Sequence, residues 1–115
     1  MRLAAIDAPE SRQPFGDASR QSLAALCFQQ YARITQRALD RYGRTVADVS
    51  CRGEDAGAAQ VASGLAWVYQ RYAHPTTDAH LFALQGKAQA GRVGLWRDAD
   101  PVPPWSWRKA AKTTR

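Results

Sequence analysis

Apolar positions change period several times along the chain, and each change marks an element. Arg2 to Ile6 is short and apolar, as a strand is. It runs into Asp7-Ala8-Pro9-Glu10, where proline ends strand pairing, and a polar, turn-rich loop follows from Ser11 to Gly16. From Asp17 the spacing becomes helical. Ala18, Leu23, Leu26 and Cys27 predict an amphipathic helix over 17–29, with Asp17 as its N-cap. Ala32 to Leu39 then alternates, with Arg33, Thr35 and Arg37 on one face and Ala32, Ile34 and Ala38 on the other. Thr45 to Cys51 is a second such run, and Asp40-Arg41-Tyr42-Gly43 between them suits a tight reversal, so the pair predicts an antiparallel hairpin. A short helix is expected over 55–63, ending at Gly64, followed by a compact connector, Gly64 to Tyr69. Thr77 or Asp78 caps a last helix to about Arg92, with Leu81, Leu84 and Ala88 inward. The tail from Pro101 to Arg115 reads as Pro/Trp-rich and basic. Residues 1–115 therefore form one α+β domain with at least three strands and three helices.

Charge narrows the function classes. Lys+Arg number 16 against 10 acidic residues, for a net charge of +6, and thirteen of those cations are Arg. Arginine's planar fork matches phosphate oxygens two at a time, which points to nucleic acid first and an anionic membrane surface second. A GC-rich gene would also enrich arginine, so composition alone leaves both readings open. No strongly amphipathic basic helix with bulky apolar anchors stands out, which disfavours the membrane surface. No apolar run has transmembrane length, so no membrane span is expected, and no basic-then-apolar leader is visible, which leaves the compartment open. Cys27 and Cys51 are too few for a disulfide framework or a zinc site and are expected to be buried free thiols.

The chemistry concentrates in one loop. Asp7 and Glu10 follow a strand that begins at Arg2, so a metal-seeking carboxylate, a candidate base and a cation are available around one point. Arg2 and Arg44 could neutralise charge growing on a phosphoryl group, although spacing does not say how near Arg44 comes. The plain alternative is a solvated turn.

Arg2-Leu3-Ala4-Ala5-Ile6-Asp7-Ala8-Pro9-Glu10 resembles the signature stretch of the staphylococcal nuclease (thermonuclease) family. Gln13-Pro14-Phe15-Gly16, Asp40-Arg41-Tyr42-Gly43-Arg44, Gly64-Leu65-Ala66, Gly94-Leu95-Trp96 and Pro104-Trp105-Ser106-Trp107-Arg108 follow in family order. The resemblance implies an OB-type barrel of five strands carrying three helices, and a calcium-dependent phosphodiesterase acting on DNA and RNA. It implies Arg2 and Arg44 on the reacting phosphate, Asp7 and the Ala8 carbonyl as metal ligands, and Glu10 as the base that activates water. It also places Arg41 and Tyr42 at the nucleotide's terminal phosphate, and Tyr72 near the base-stacking tyrosines. Packing of the hairpin by Tyr42, and core or rim packing by Tyr72, remain open. Trp96, Trp105 and Trp107 are expected to be core and tail anchors.

The sequence also departs from the family. It opens at what resembles the family's third strand, without the Asp-Gly-Asp-Thr-like segment that supplies another metal-ligating carboxylate. An incomplete barrel with exposed strand edges is expected, open to a misassigned start, a strand-exchanged homodimer, or a remnant that only binds nucleic acid or protein.

Overall fold

The computed structural model describes residues 2–113. The expected hairpin is present with its expected limits. In chain order the first strands are β1 (Arg2–Leu3) and β2 (Ile6–Asp7), then helix α1 (Gly16–Cys27), then the hairpin strands β3 (Ala32–Leu39) and β4 (Thr45–Cys51). Its tip is closed by Asp40, whose carboxylate accepts from the backbone N–H of Tyr42 and of Arg44, both at 2.9 Å. There follow β5 (Glu54–Asp55), α2 (Ala56–Ala62), β6 (Trp67–Val68), α3 (Ala79–Ala90), a 3-10 turn (Gly94–Arg97) and α4 (Pro104–Thr113).

The single strand expected from Arg2 to Ile6 is split. β1 runs parallel to β4, pairing Arg2 with Val46, while β2 runs antiparallel to β6, pairing Ile6 with Val68 and Asp7 with Trp67. Ala5, at φ 65°, turns the chain between the two pairings. That left-handed conformation is tolerable here because the Ala5 carbonyl accepts from Tyr69 N–H at 2.8 Å and the residue is buried. Among the described residues, the sheet order β1-β4-β3, with β5 on β4, and the separate β2-β6 pair close no barrel. The α+β class stands, and so does the expectation of an incomplete barrel.

The core lies where the two sheets meet α2 and α3. Ala5, Ile6, Val61, Ala66, Val68 and Leu81 form its centre, with Leu84 partly buried against it, and Ala88, Leu95 and Trp96 form a second cluster. Leu81, Leu84 and Ala88 thus face inward as their spacing requires. Other expectations change. β3 is exposed along all eight residues, so its Ala32, Ile34 and Ala38 face is not covered. Gly16 opens α1 with Phe15 at the cap, and Asp17 instead pairs with Arg20 on the surface. Asp78 is the cap residue of α3 but makes no side-chain cap bond.

Arg37 takes that carboxylate. It sits at a bulge in β3 and donates to both oxygens of Asp78, at 2.7 and 2.9 Å, and to both of Asp48, at 2.7 and 2.8 Å. Asp78 is fully buried and also accepts from His74 N–H at 2.8 Å. The network ties the hairpin to the start of α3.

The cysteines are a correction as well. Cys27, at the end of α1, and Cys51, at the end of β4, form a disulfide with Cα atoms 5.3 Å apart. Helix packing closes a gap of 24 residues that spacing could not judge. Reduction is therefore expected to lower the unfolding free energy by about 3 kcal/mol through the freed loop. Denaturant titration with and without dithiothreitol measures the difference.

Candidate active site

The carboxylate loop is shaped before any ligand arrives. β2 ends at Asp7 because Pro9 has no N–H to continue the ladder. Gln13 then organises the turn. Its side-chain oxygen accepts from Glu10 N–H at 3.1 Å, and its own N–H closes back on the Glu10 carbonyl at 2.9 Å. Helix α1 begins so close to this loop that a Cβ at Gly16 would overlap the Glu10 carbonyl oxygen. Only glycine fits there.

Asp7 is 6% exposed, and Glu10 lies nearer the surface. Both converge on one cation, Arg108 of α4. Its Nη2 donates to Asp7 Oδ2 at 2.6 Å, while Nη1 donates to Asp7 Oδ1 at 3.1 Å and to Glu10 Oε1 at 2.7 Å. The fork-on-carboxylate geometry is the strong form of this ion pair. It holds the Arg108 guanidinium above its ordinary pKa, chiefly through the bonds to Asp7, against burial and with help from Glu10.

The Pro/Trp-rich basic tail that carries Arg108 forms a helix from Pro104 to Thr113. Pro104 takes the first helical position, where a missing N–H costs nothing, and it is fully buried. Trp105 stacks on Tyr69 with centroids 4.9 Å apart and planes 14° apart, and meets Trp67 edge-on at 5.6 Å. Gln13 donates from Nε2 to the Val102 carbonyl, tying the approach to α4 onto the carboxylate loop. Trp105 and Arg108, three residues apart, share a helix face. α4 is basic and carries Trp105, but that ring packs inside the molecule and offers no anchor to a membrane surface. Trp96 is buried and Trp105 seats the tail, as anchors should. The signal for α4 was present in Pro104 followed by helix-forming residues; nothing in the sequence pointed Arg108 at Asp7.

The remaining candidates are held by other contacts. Arg2, on β1, lies beside Val46, so the parallel register brings it to the strand that begins just after Arg44. Arg44 Nε pairs with Asp40 at 2.7 Å on the surface. The guanidinium carbons of Arg41 and Arg44 lie 5.1 and 5.5 Å from the centre of the exposed Tyr42 ring. Tyr42 thus presents a ring between two cations rather than packing inside the hairpin. Tyr72 is exposed and meets Tyr69 edge-on at 4.9 Å, with Arg71 5.5 Å from its ring.

Oxygen donors of this kind suit a hard cation. Asp7 and Glu10 already meet at one positive group, and Ala8 lies between them in the loop with its carbonyl. Asp7 and the Ala8 carbonyl offer at most three oxygens, short of the six to eight that calcium takes, so water and a phosphate would complete the shell. Among the described residues, no group of three or more His, Cys, Asp or Glu is clustered to hold a metal by side chains alone. No described helix is long and apolar enough to cross a membrane.

The family model for staphylococcal nuclease homologues matches residues 1–98. Micrococcal nuclease of Shigella flexneri is 42% identical over 121 residues, spanning 97% of this chain and 69% of that protein. Protein ParB of Escherichia coli is 38% identical across 100% of this chain and 70% of its own length. Staphylococcal-like nuclease CAN1 of Arabidopsis thaliana is 36% identical over 95% of this chain and 33% of its own.

Proposed function

The chain belongs to the staphylococcal nuclease homologues, and from that premise we propose that it hydrolyses phosphodiester bonds of DNA or RNA in a calcium-dependent reaction. One observation carries the reading: Asp7 and Glu10, in the loop that resembles the family signature, converge on a single cationic group. Asp7 and the Ala8 carbonyl would hold calcium. When bound, the ion would polarise a phosphoryl oxygen.

The protein's own residues supply the rest. Glu10, the more exposed of the two carboxylates, accepts a proton from the attacking water. Arg2 and Arg44 neutralise negative charge that grows on the phosphoryl oxygens; for this Arg44 exchanges its surface carboxylate partner, Asp40, for the phosphate. Arg41 and Tyr42 bind the nucleotide's terminal phosphate at the hairpin tip, and Tyr72 offers an exposed ring face to a base. The Cys27–Cys51 disulfide supports work in an oxidising compartment.

Cleavage of labelled DNA and RNA across a calcium titration tests the reading. Cleavage that rises with calcium and is lost in chelator is expected. Binding that survives chelator, with no cleavage at any calcium concentration, would overturn it in favour of a non-catalytic binding module. Because phosphate contacts dominate, nucleic-acid affinity is expected to fall linearly with salt on a log–log plot. Filter binding at several salt concentrations checks this, and a flat plot would remove phosphate as the main contact.

A further inference from the structure

Arg108 lies beyond the residues that the family model matches, yet it makes every ion pair formed by Asp7 and Glu10 among the described residues. We propose that Arg108 is a built-in occupant of this carboxylate pair, delivered by α4, and that a divalent cation binds there by displacing it. The inference rests on the calcium part of the function proposed above.

Charge and geometry both support exchange over coexistence. The guanidinium engages both oxygens of Asp7 and one of Glu10. A second cation on the same oxygens would stand within a few ångströms of it, partly shielded from water, where like charges repel strongly. A Glu10 carboxylate committed to a guanidinium is also a weaker acceptor for the proton of water. The paired arrangement therefore opposes both tasks assigned to these carboxylates.

Burial sets the direction of the exchange. Asp7 is too buried to stand unpaired, so Arg108 leaves only when another cation replaces it. The Arg108 side chain is 35% exposed, and water is ready to receive it. Three contacts hold the displaced state in check: Gln13 on Val102, the buried Pro104, and Trp105 on Tyr69. Arg108 is one of the ties that seat α4, so displacing it loosens α4 and changes the surroundings of Trp105.

Calorimetric titration of calcium into the full chain and into Arg108→Gln tests the exchange. The variant is expected to bind calcium about tenfold tighter or more, since the competing charge is gone. Hydrogen exchange of the parent supplies a readout independent of the variant's folding. Amides of residues 105–113 are expected to lose protection at saturating calcium. Equal or weaker binding by a folded Arg108→Gln protein overturns the displacement while leaving calcium dependence intact. If the variant does not fold, unchanged or increased protection of α4 in the parent overturns it. Failure of both proteins to bind calcium overturns the inference together with the calcium reading.

Discussion

Glu10→Gln is expected to cleave nucleic acid about 100- to 10,000-fold more slowly than the parent, the range that a positioned general base contributes. The substitution isolates the proton-accepting role. Glutamine keeps the length and shape of the side chain, and its carbonyl oxygen still accepts from Arg108 Nη1, so the loop and α4 stay seated. The Glu10 backbone contacts with Gln13 are untouched. The loss should therefore fall on kcat, with KM changing far less. Single-turnover cleavage at saturating enzyme gives the rate directly. A variant that cleaves at the parent's rate removes Glu10 as the base, and one that loses substrate binding instead moves Glu10 to a binding role.

The second large effect is on stability. Arg37→Ala is expected to lower the unfolding free energy at neutral pH by about 3 kcal/mol, because Asp78 stays buried and loses its countercharge. The hydrogen bonds from Arg37, against burial, hold the Asp78 carboxyl below the usual aspartate range, and His74 N–H adds to this. The sign follows from linkage. A carboxyl whose folded pKa is lowered adds stability that is fully present above its unfolded value of about 3.9, and that is lost as pH falls through the lower folded value. The gap between parent and variant should therefore be widest at neutral pH and shrink in acid. Urea unfolding of both proteins at neutral and strongly acidic pH measures it. A gap that stays constant with pH would show that Arg37 acts through packing and not through charge.

Local signals were legible where the element is decided by its own residues. The hairpin limits, Ala32–Leu39 and Thr45–Cys51, came from alternation and from the Asp40–Gly43 reversal, and both strands begin and end there. The inward stripe of α3 and the short helix before Gly64 were likewise readable, because helical periodicity reports which face is covered. Caps were less legible. A cap is a competition for one side chain, and Arg37 wins Asp78 from α3 while the surface wins Asp17 from the start of α1. The alternation in β3 sets Ala32, Ile34 and Ala38 on one face, yet among the described residues that face stays exposed. Periodicity says which residues could be buried together and not whether anything arrives to bury them.

Of the candidate site, the sequence by itself determined the loop: a strand that must stop at Pro9, with Asp7 and Glu10 on either side, in an order of motifs shared with the nuclease family. It also determined the positive charge and its bias towards arginine. Only the tertiary structure decided which cation meets which carboxylate. Arg108 reaches Asp7 across 101 residues, Arg37 reaches Asp78 across 41, and Cys27 reaches Cys51 across 24. Sequence patterns carry local conformation, whose range is a turn or a strand. Ion pairing and disulfide formation depend on separations of a few ångströms, and these are set when α1, α3 and α4 dock on the sheets. The strongest electrostatic contact in the site therefore belongs to a residue whose spacing along the chain marks it only as part of a basic tail.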